Sequence, residues 1–299
     1  MTRWRALRAH GVFWRRLLRY AVLNVPIWLE PAVIGFWSAV FLCFPRVRRG
    51  LTANLAAIHP GTSYAANLLR GYRVLWNFAW TISENVRFTE DRVVPDWEFV
   101  GREHFDALRT REGGAIMLTA HMGSYDIGAK LFSDTSGRRL VMVRAPEVDP
   151  DTRRFEEEQL ERTKSDGLKI DFNTKASDLA LDLLDAVTNG EIVAIQGDRV
   201  TPGIATLPAT LFGKRARVPA GPFALAMAAR VPIYPLFIIR RGRRFYRLLT
   251  LEPIEVVRTG RNRDADFQRA ANSWSAQLER VIREGWYQWY AFDSFEEAA

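Results

Sequence analysis

The stretch AIMLTAHMGSYDIG, residues 115–128, decides how the chain is expected to fold. A short apolar run without charges predicts a buried strand, and Gly123 lets the backbone turn sharply just after it. A helix is then expected to begin near Ser124. This places His121 in a strand-to-helix loop and Asp126 on the first turn of the helix.

The segments around this stretch alternate between apolar runs and helical patterns. Further strands are predicted at 139–144 and 191–197, with a hairpin around the turn RRGRR, residues 240–244. Strands that alternate with helices are typical of an α/β domain, layered, with a largely parallel central sheet flanked by helices. Ligands of such sheets bind outside the carboxyl ends of the strands, where His121 is expected. The helices are predicted at 62–86, 151–166, 176–188, 221–230 and 264–284.

The first fifty residues differ in composition from the rest of the chain. They hold nine arginines and one acid, Glu30, whereas the remaining 249 residues hold 33 basic and 33 acidic groups, so the net charge of +8 is N-terminal. Because the rest of the chain is neutral, no nucleic-acid partner is expected.

Residues 3–19 have the pattern of a basic amphipathic helix, and an apolar segment, 22–44, follows. We predict a helix lying in, or dipping into, the cytoplasmic leaflet of a membrane; a helical hairpin packed on the core is the alternative.

The sequence thus predicts three parts: a basic, Trp-rich membrane-associating segment (1–50), an α/β domain (51–290) and a C-terminal tail (291–299). The single cysteine, Cys43, has no partner for an internal disulfide, which indicates either a reducing compartment or no use for thiols. Cysteine and histidine do not occur at the spacing of a structural zinc site. We therefore predict neither a metal nor a cofactor.

His121 and Asp126 have the pattern of a general base and its partner. A carboxylate that holds one imidazole nitrogen stabilises the imidazolium and leaves the other nitrogen to accept a proton. The helix start, with Gly123 and Ser124, is expected to bind substrate, because its N–H groups favour a phosphate or a developing oxyanion. The sequence has no G-x-S-x-G motif and no paired cysteine that would act as a covalent nucleophile. In the alternative interpretation His121 and Asp126 are structural, one bonding a carbonyl and the other capping the helix.

Two further polar sets are candidates for substrate binding. Asp198 and Arg199 follow the predicted strand 191–197, and they are expected either to orient a substrate head group or to form an ion pair at a turn. Lys214 and Arg217 lie in the basic stretch FGKRARVP, which suits the phosphates of a phosphopantetheine donor or the acidic face of a carrier protein. A solvated basic turn is the alternative there.

The aromatic residues near the C-terminus allow two interpretations. The stretch WYQWYAF, residues 286–292, holds two tryptophans and two tyrosines. Such amphipathic aromatic side chains suit a membrane interface, but we expect packing against the core.

The chain resembles the bacterial lipid A biosynthesis acyltransferases, within the wider lysophospholipid acyltransferase superfamily. The resemblance rests on the motif H-x(4)-D, matched by His121 and Asp126, and on stretches such as RRGLTANLAAIHP, GEIVAIQGDRV and FGKRARVPAGPFALA. It extends over most of residues 1–285 and is strongest for a branch of predicted acyltransferases. The family usually carries glutamate where Asp126 stands.

The resemblance implies a membrane-associated enzyme on the cytoplasmic face of the bacterial inner membrane. His121 would be the general base and Asp126 its partner. The donor would be an acyl thioester of acyl carrier protein or CoA, and the acceptor a hydroxyl or amine of lipid A or of another glycolipid or lysolipid. A protein of a different class, a peripheral lipid-binding or tethering protein in which His121 does no chemistry, is the alternative.

Overall fold

A seven-stranded, mostly parallel sheet forms the centre of the protein in the computed structural model. The structure describes residues 12–91, 95–125, 127–128, 132, 137–144, 149, 151, 154, 168–172, 176–201, 203–260 and 262–296. The sheet order is β1-β9-β8-β2-β5-β3-β4, and a separate hairpin is formed by β6 and β7. The strands are β1 (Asp96–Val100), β2 (Ala115–Thr119), β3 (Leu140–Arg144), β4 (Leu168–Phe172), β5 (Ile192–Gln196), β6 (Thr206–Leu211), β7 (Lys214–Pro219), β8 (Ile233–Gly242) and β9 (Phe245–Thr250).

Five strands run in one direction, and β9 turns back at the RRGRR hairpin to pair with β8 in the antiparallel sense. The edge strand β1 is parallel to β9. The predicted α/β class, the largely parallel sheet and the hairpin are therefore confirmed. The edge strands β1 and β4 and the β6–β7 hairpin were not predicted.

Helices cover both faces of the sheet. Those in the described part of the chain are α1 (Val12–Asn24), α2 (Glu30–Leu42), α3 (Pro45–Ile58), α4 (Tyr64–Asp91), α5 (Arg102–Thr110), α6 (Ala176–Thr188), α7 (Gly221–Ala229) and α8 (Arg263–Gly285), followed by a 3₁₀ turn at Trp286–Gln288. Four predicted helices correspond to α4, α6, α7 and α8. The charged helix predicted at 151–166 lies mostly outside the described residues.

The two faces of β2 contribute to two separate apolar cores, because successive side chains of a strand point to opposite sides. Ile116 and Leu118 belong to the larger core, which includes residues of α3, α4, α7 and α8. Ala115 and Met117 belong to the smaller core with residues of α5. A strand buried on both faces reads as a continuous apolar run, and this is the pattern that identified β2 in the sequence.

The apolar segment 22–44 is not one helix. It is divided between α1 and α2, which end and begin on either side of Pro26, since proline has no N–H to continue a helix. Taken singly, none of the described helices is long and apolar enough to cross a membrane, whereas α2 and α3, bent by 92°, meet that length and composition as a pair. On its inner side α2 lies against α4, where the Tyr72 hydroxyl donates to the Gly35 carbonyl over 3.3 Å.

The two predicted boundaries between the three parts, after residues 50 and 290, fall within packed structure. The helix α3 runs through residue 50 without a break. Beyond residue 290, Ala291 and Phe295 are buried, and the side chain of Asn54 on α3 bonds the main chain of residues 291, 293 and 295.

Candidate active site

His121 and Asp198 meet at the carboxyl edge of the sheet. The strands β2 and β5 are parallel neighbours, with Thr119 opposite Gln196. The backbone continues for two residues beyond Thr119 to His121 and for two residues beyond Gln196 to Asp198. The side chains of His121 and Asp198 therefore lie side by side. His121 Nδ1 lies 2.8 Å from Asp198 Oδ1, which also accepts the His121 main-chain N–H over 3.0 Å.

Asp198 is fully enclosed and ionised. Its side chain has no exposed surface, and its second oxygen, Oδ2, accepts the indole N–H of Trp289 over 3.0 Å. Burial by itself raises the pKa of Asp198. The charge and hydrogen bond of His121, the charge of Arg199 and the Trp289 hydrogen bond outweigh it, so the pKa lies well below its ordinary value.

An ionised carboxylate only accepts hydrogen bonds, so the imidazole proton in neutral His121 is assigned to Nδ1. The lone pair of the neutral ring is then on Nε2. The His121 side chain is 25% exposed, whereas its partner is closed off. The imidazole therefore has one nitrogen fixed by the protein and the other able to exchange a proton with a bound molecule.

The loop after β2 is held by main-chain hydrogen bonds. Gly123 has φ +59°, and a Cβ there would collide with the carbonyl oxygen of Ile238, so only glycine fits. The N–H of Gly123 donates to the Gln288 carbonyl over 3.0 Å, and that of Ser124 donates to the Ile238 carbonyl over 2.8 Å. The substrate contacts predicted for Gly123 and Ser124 stay predictions; these bonds fix the backbone beside His121.

The residues that follow α8, 286–296, form a C-terminal strap over this loop. The Tyr290 N–H donates to the His121 carbonyl over 2.9 Å. Arg199 donates to the Tyr290 carbonyl. Trp289 and Tyr290 are buried, as expected for packing against the core, whereas Trp286 and Tyr287 are partly exposed.

The remaining predicted site residues lie elsewhere or outside the described part. Asp126 is not among the described residues. Lys214 and Arg217 are on β7, where Lys214 Nζ lies 3.8 Å from Glu296 and Arg217 Nε donates to the Thr206 hydroxyl over 2.6 Å. Within the described residues, no three His, Cys, Asp or Glu side chains come together as metal ligands would.

Sequence reasoning placed both His121 and Asp198 at carboxyl ends of strands but did not pair them. The signal was present, since each lies two residues beyond an apolar run. The missing information was that β2 and β5, which are far apart in the chain, are neighbours in the sheet. Trp289 lay still further along the chain and carried no motif that pointed to Asp198.

A second feature of the structure is an apolar surface near the N-terminus. Eleven of the eighteen large apolar side chains that are exposed in the described part of the chain lie between residues 13 and 41. They include Trp28, 78% exposed, and Phe36, 62% exposed. Such a concentration on one part of a molecule marks an interaction surface. We call residues 13–41 the N-terminal apolar surface.

Comparison with known proteins adds one match. The family model described as bacterial lipid A biosynthesis acyltransferase matches residues 2–294, nearly the whole chain. No curated protein sequence matches the chain significantly.

Proposed function

The chain belongs to the bacterial lipid A biosynthesis acyltransferase family, whose members act on lipid substrates, and from this we propose that His121 and Asp198 perform its acyl transfer. The donor is an acyl thioester of acyl carrier protein or CoA, and the acceptor is a hydroxyl or amine of a lipid such as a glycolipid or lysolipid. The observation that carries the proposal is the 2.8 Å contact between His121 Nδ1 and the enclosed Asp198 carboxylate.

In the proposed reaction Nε2 of His121 accepts the proton of the acceptor as its oxygen or nitrogen attacks the thioester carbonyl. The tetrahedral intermediate then collapses, the carbon–sulfur bond breaks, and the imidazolium returns its proton to the leaving thiolate. Asp198, ionised because its pKa lies below the ordinary value, stabilises the imidazolium between these two steps. General base catalysis of this kind contributes about 10²–10⁴ in rate.

Gly123, Ser124 and Arg199 enter the proposal as residues that shape the site. Their described hydrogen bonds go to main-chain carbonyls of neighbouring segments, and the charge of Arg199 also favours the ionised form of Asp198. Lys214 and Arg217 are proposed to contact the phosphates or carboxylates of the donor. The support is that Lys214 is half exposed and that its ion pair among the described residues, to Glu296, is long at 3.8 Å.

We also place the protein on the cytoplasmic face of the bacterial inner membrane. The N-terminal apolar surface supports this proposal, because apolar side chains can enter the acyl boundary while arginines attract anionic head groups. Exposed basic residues occur in the same region, among them Arg16 and Arg49. A lipid acceptor would then reach the enzyme from the bilayer.

The test is lipid profiling by mass spectrometry in a host strain that lacks the gene. The wild-type protein should restore a single acyl chain to one lipid class. His121→Ala should leave that class under-acylated, although the variant protein remains folded and in the membrane fraction. The matched control is His104→Ala on α5, which should restore the lipid as wild type does. If His121→Ala also restored it, the peripheral lipid-binding alternative would replace the proposal.

A further inference from the structure

The C-terminal strap is fixed at several points around the His121–Asp198 pair. The buried side chain of Gln288 pairs with the main chain of Arg240 on β8, accepting over 2.8 Å and donating over 2.7 Å. Asn54 on α3 donates to the carbonyls of Ala291 and Asp293 and accepts from the Phe295 N–H. Trp289 lies between these two anchoring points.

Trp289 is held as a rigid side chain. It is buried, its ring centroid lies 6.1 Å from those of Phe212 and Phe295, and its main chain forms a bridge with Met122, next to His121. The indole N–H is the polar group of this side chain, and it donates to Asp198 Oδ2 over 3.0 Å. Buried tryptophans usually find such a partner, but here the partner is the carboxylate that holds His121.

We propose that Trp289 is a positioning residue. It holds the Asp198 carboxylate so that Oδ1 faces His121, and its hydrogen bond to Oδ2 weakens the negative potential that the carboxylate exerts on the imidazole. The inference rests on the proposed function. Oδ1 receives the two N–H groups of His121 and Oδ2 receives the indole. With both oxygens engaged, the carboxylate is fixed in rotation, and the direction of Nε2 is fixed with it.

The charge effect has a definite sign. A donor on Oδ2 lowers the negative potential that Asp198 exerts on His121, so removing it favours the imidazolium and raises the pKa of His121. The other charged or titratable groups described around the pair are Arg199, Tyr125, whose ring centroid lies 6.0 Å from that of His121, and Tyr290. All three are kept in the variants below.

The test is an NMR titration of the histidine side chains in the full-length protein. The chain has four histidines, so single substitutions assign the signal of His121. Trp289→Phe removes the indole N–H, and Trp286→Phe is the matched control, since Trp286 lies on the same strap with its ring against His59. We expect the His121 signal to titrate at a higher pH in Trp289→Phe than in the wild type and to titrate as in the wild type in Trp286→Phe.

An unchanged or lowered pKa of His121 in Trp289→Phe would overturn the inference. If that variant fails to fold, benzothienylalanine at position 289 can be used, because it keeps the shape of the ring and replaces the N–H by sulfur. The His121 signal is expected to shift in the same direction as in Trp289→Phe.

Turnover gives a second readout, measured as thiol release from palmitoyl-CoA in the presence of vesicles made from host membrane lipids. Because the defect is a raised pKa, kcat/KM of Trp289→Phe should fall several-fold at low pH and recover toward wild type as the pH rises, with KM unchanged. A loss that is the same at every pH would show that Trp289 does not act on the charge of the imidazole, and it would count against the inference.

The two proposals can fail separately. Turnover that survives His121→Ala would reject the proposed chemistry, although the titration would still report whether Trp289 acts on the pair. An inactive His121→Ala together with equal titrations of the two tryptophan variants would reject the role of Trp289 alone.

Discussion

Three N–H groups converge on the carboxylate of Asp198, two from His121 and one from Trp289. These residues come from the loop after β2, the loop after β5 and the C-terminal strap. A buried charge is stable only when it is paired and hydrogen-bonded, so the site depends on all three segments being in place. Among the described residues, Asp198 is the carboxylate that contacts the imidazole, whereas the motif residue Asp126 lies outside them.

Substitution of the two aspartates separates their roles. We expect Asp198→Asn to lower kcat by about two to four orders of magnitude, because the amide no longer stabilises the imidazolium. Asp126→Asn should cost less than tenfold if Asp198 is the partner of His121. Thiol release from palmitoyl-CoA with vesicles of host lipids measures both. A larger loss for Asp126→Asn would return the partner's role to the motif residue.

At the scale of elements, apolar content decided what could be predicted. The buried strands β2, β3, β5 and β8 read as apolar runs and were found. The edge strand β1 and the hairpin strands β6 and β7 are partly exposed and are interrupted by polar residues or proline, so neither a continuous apolar run nor a clean alternation marked them. Strand adjacency, which brings His121 to Asp198, is a property of the whole sheet and has no local signal.

The break between α1 and α2 has a second cause besides proline. Glu30, on the first turn of α2, is buried. It accepts a hydrogen bond from Ser83, and its Oε1 lies 3.5 Å from Arg87 Nε on α4, while Oε2 lies 4.0 Å from Arg243 in the β8–β9 turn. Glu30, the acid that interrupts the apolar segment, therefore fixes the start of α2 to α4.

Glu30→Gln should lower the free energy of unfolding by about 2 kcal/mol, because it leaves Arg87 without its charge partner. The full cost of breaking a buried ion pair is about 3–5 kcal/mol, and the partial exposure of Arg243 reduces it. The control is Asp106→Asn on α5, which removes exposed ion pairs to Arg102 and Arg109 and should cost less than about 1 kcal/mol. Denaturant unfolding followed by fluorescence measures both, and equal losses would mean that Glu30 does not fix α2.

At the scale of the whole molecule, the N-terminal helices and the C-terminal strap are joined. Asn54 on α3 holds the main chain of the strap, and the strap holds Asp198 through Trp289. The residues that present apolar side chains outward and those that form the site therefore belong to one connected structure. Composition alone identified the N-terminal segment as basic and apolar, but its inner contacts with α4 and the strap could not be read from it.

The N-terminal apolar surface gives the last prediction. Trp28 lies between α1 and α2 and Phe36 lies on α2, both with more than half of the side chain exposed. If they enter a bilayer, each contributes about 1.5–3 kcal/mol of transfer free energy, so Trp28→Ser and Phe36→Ser should each weaken partition into anionic vesicles by at least about tenfold. Leu181→Ser is the control, since Leu181 is 68% exposed but lies on α6. Vesicle co-sedimentation at constant salt measures the three variants. Equal binding by all of them would place the membrane contact elsewhere, whereas the expected loss would identify α1 and α2 as the part of the protein that contacts the membrane.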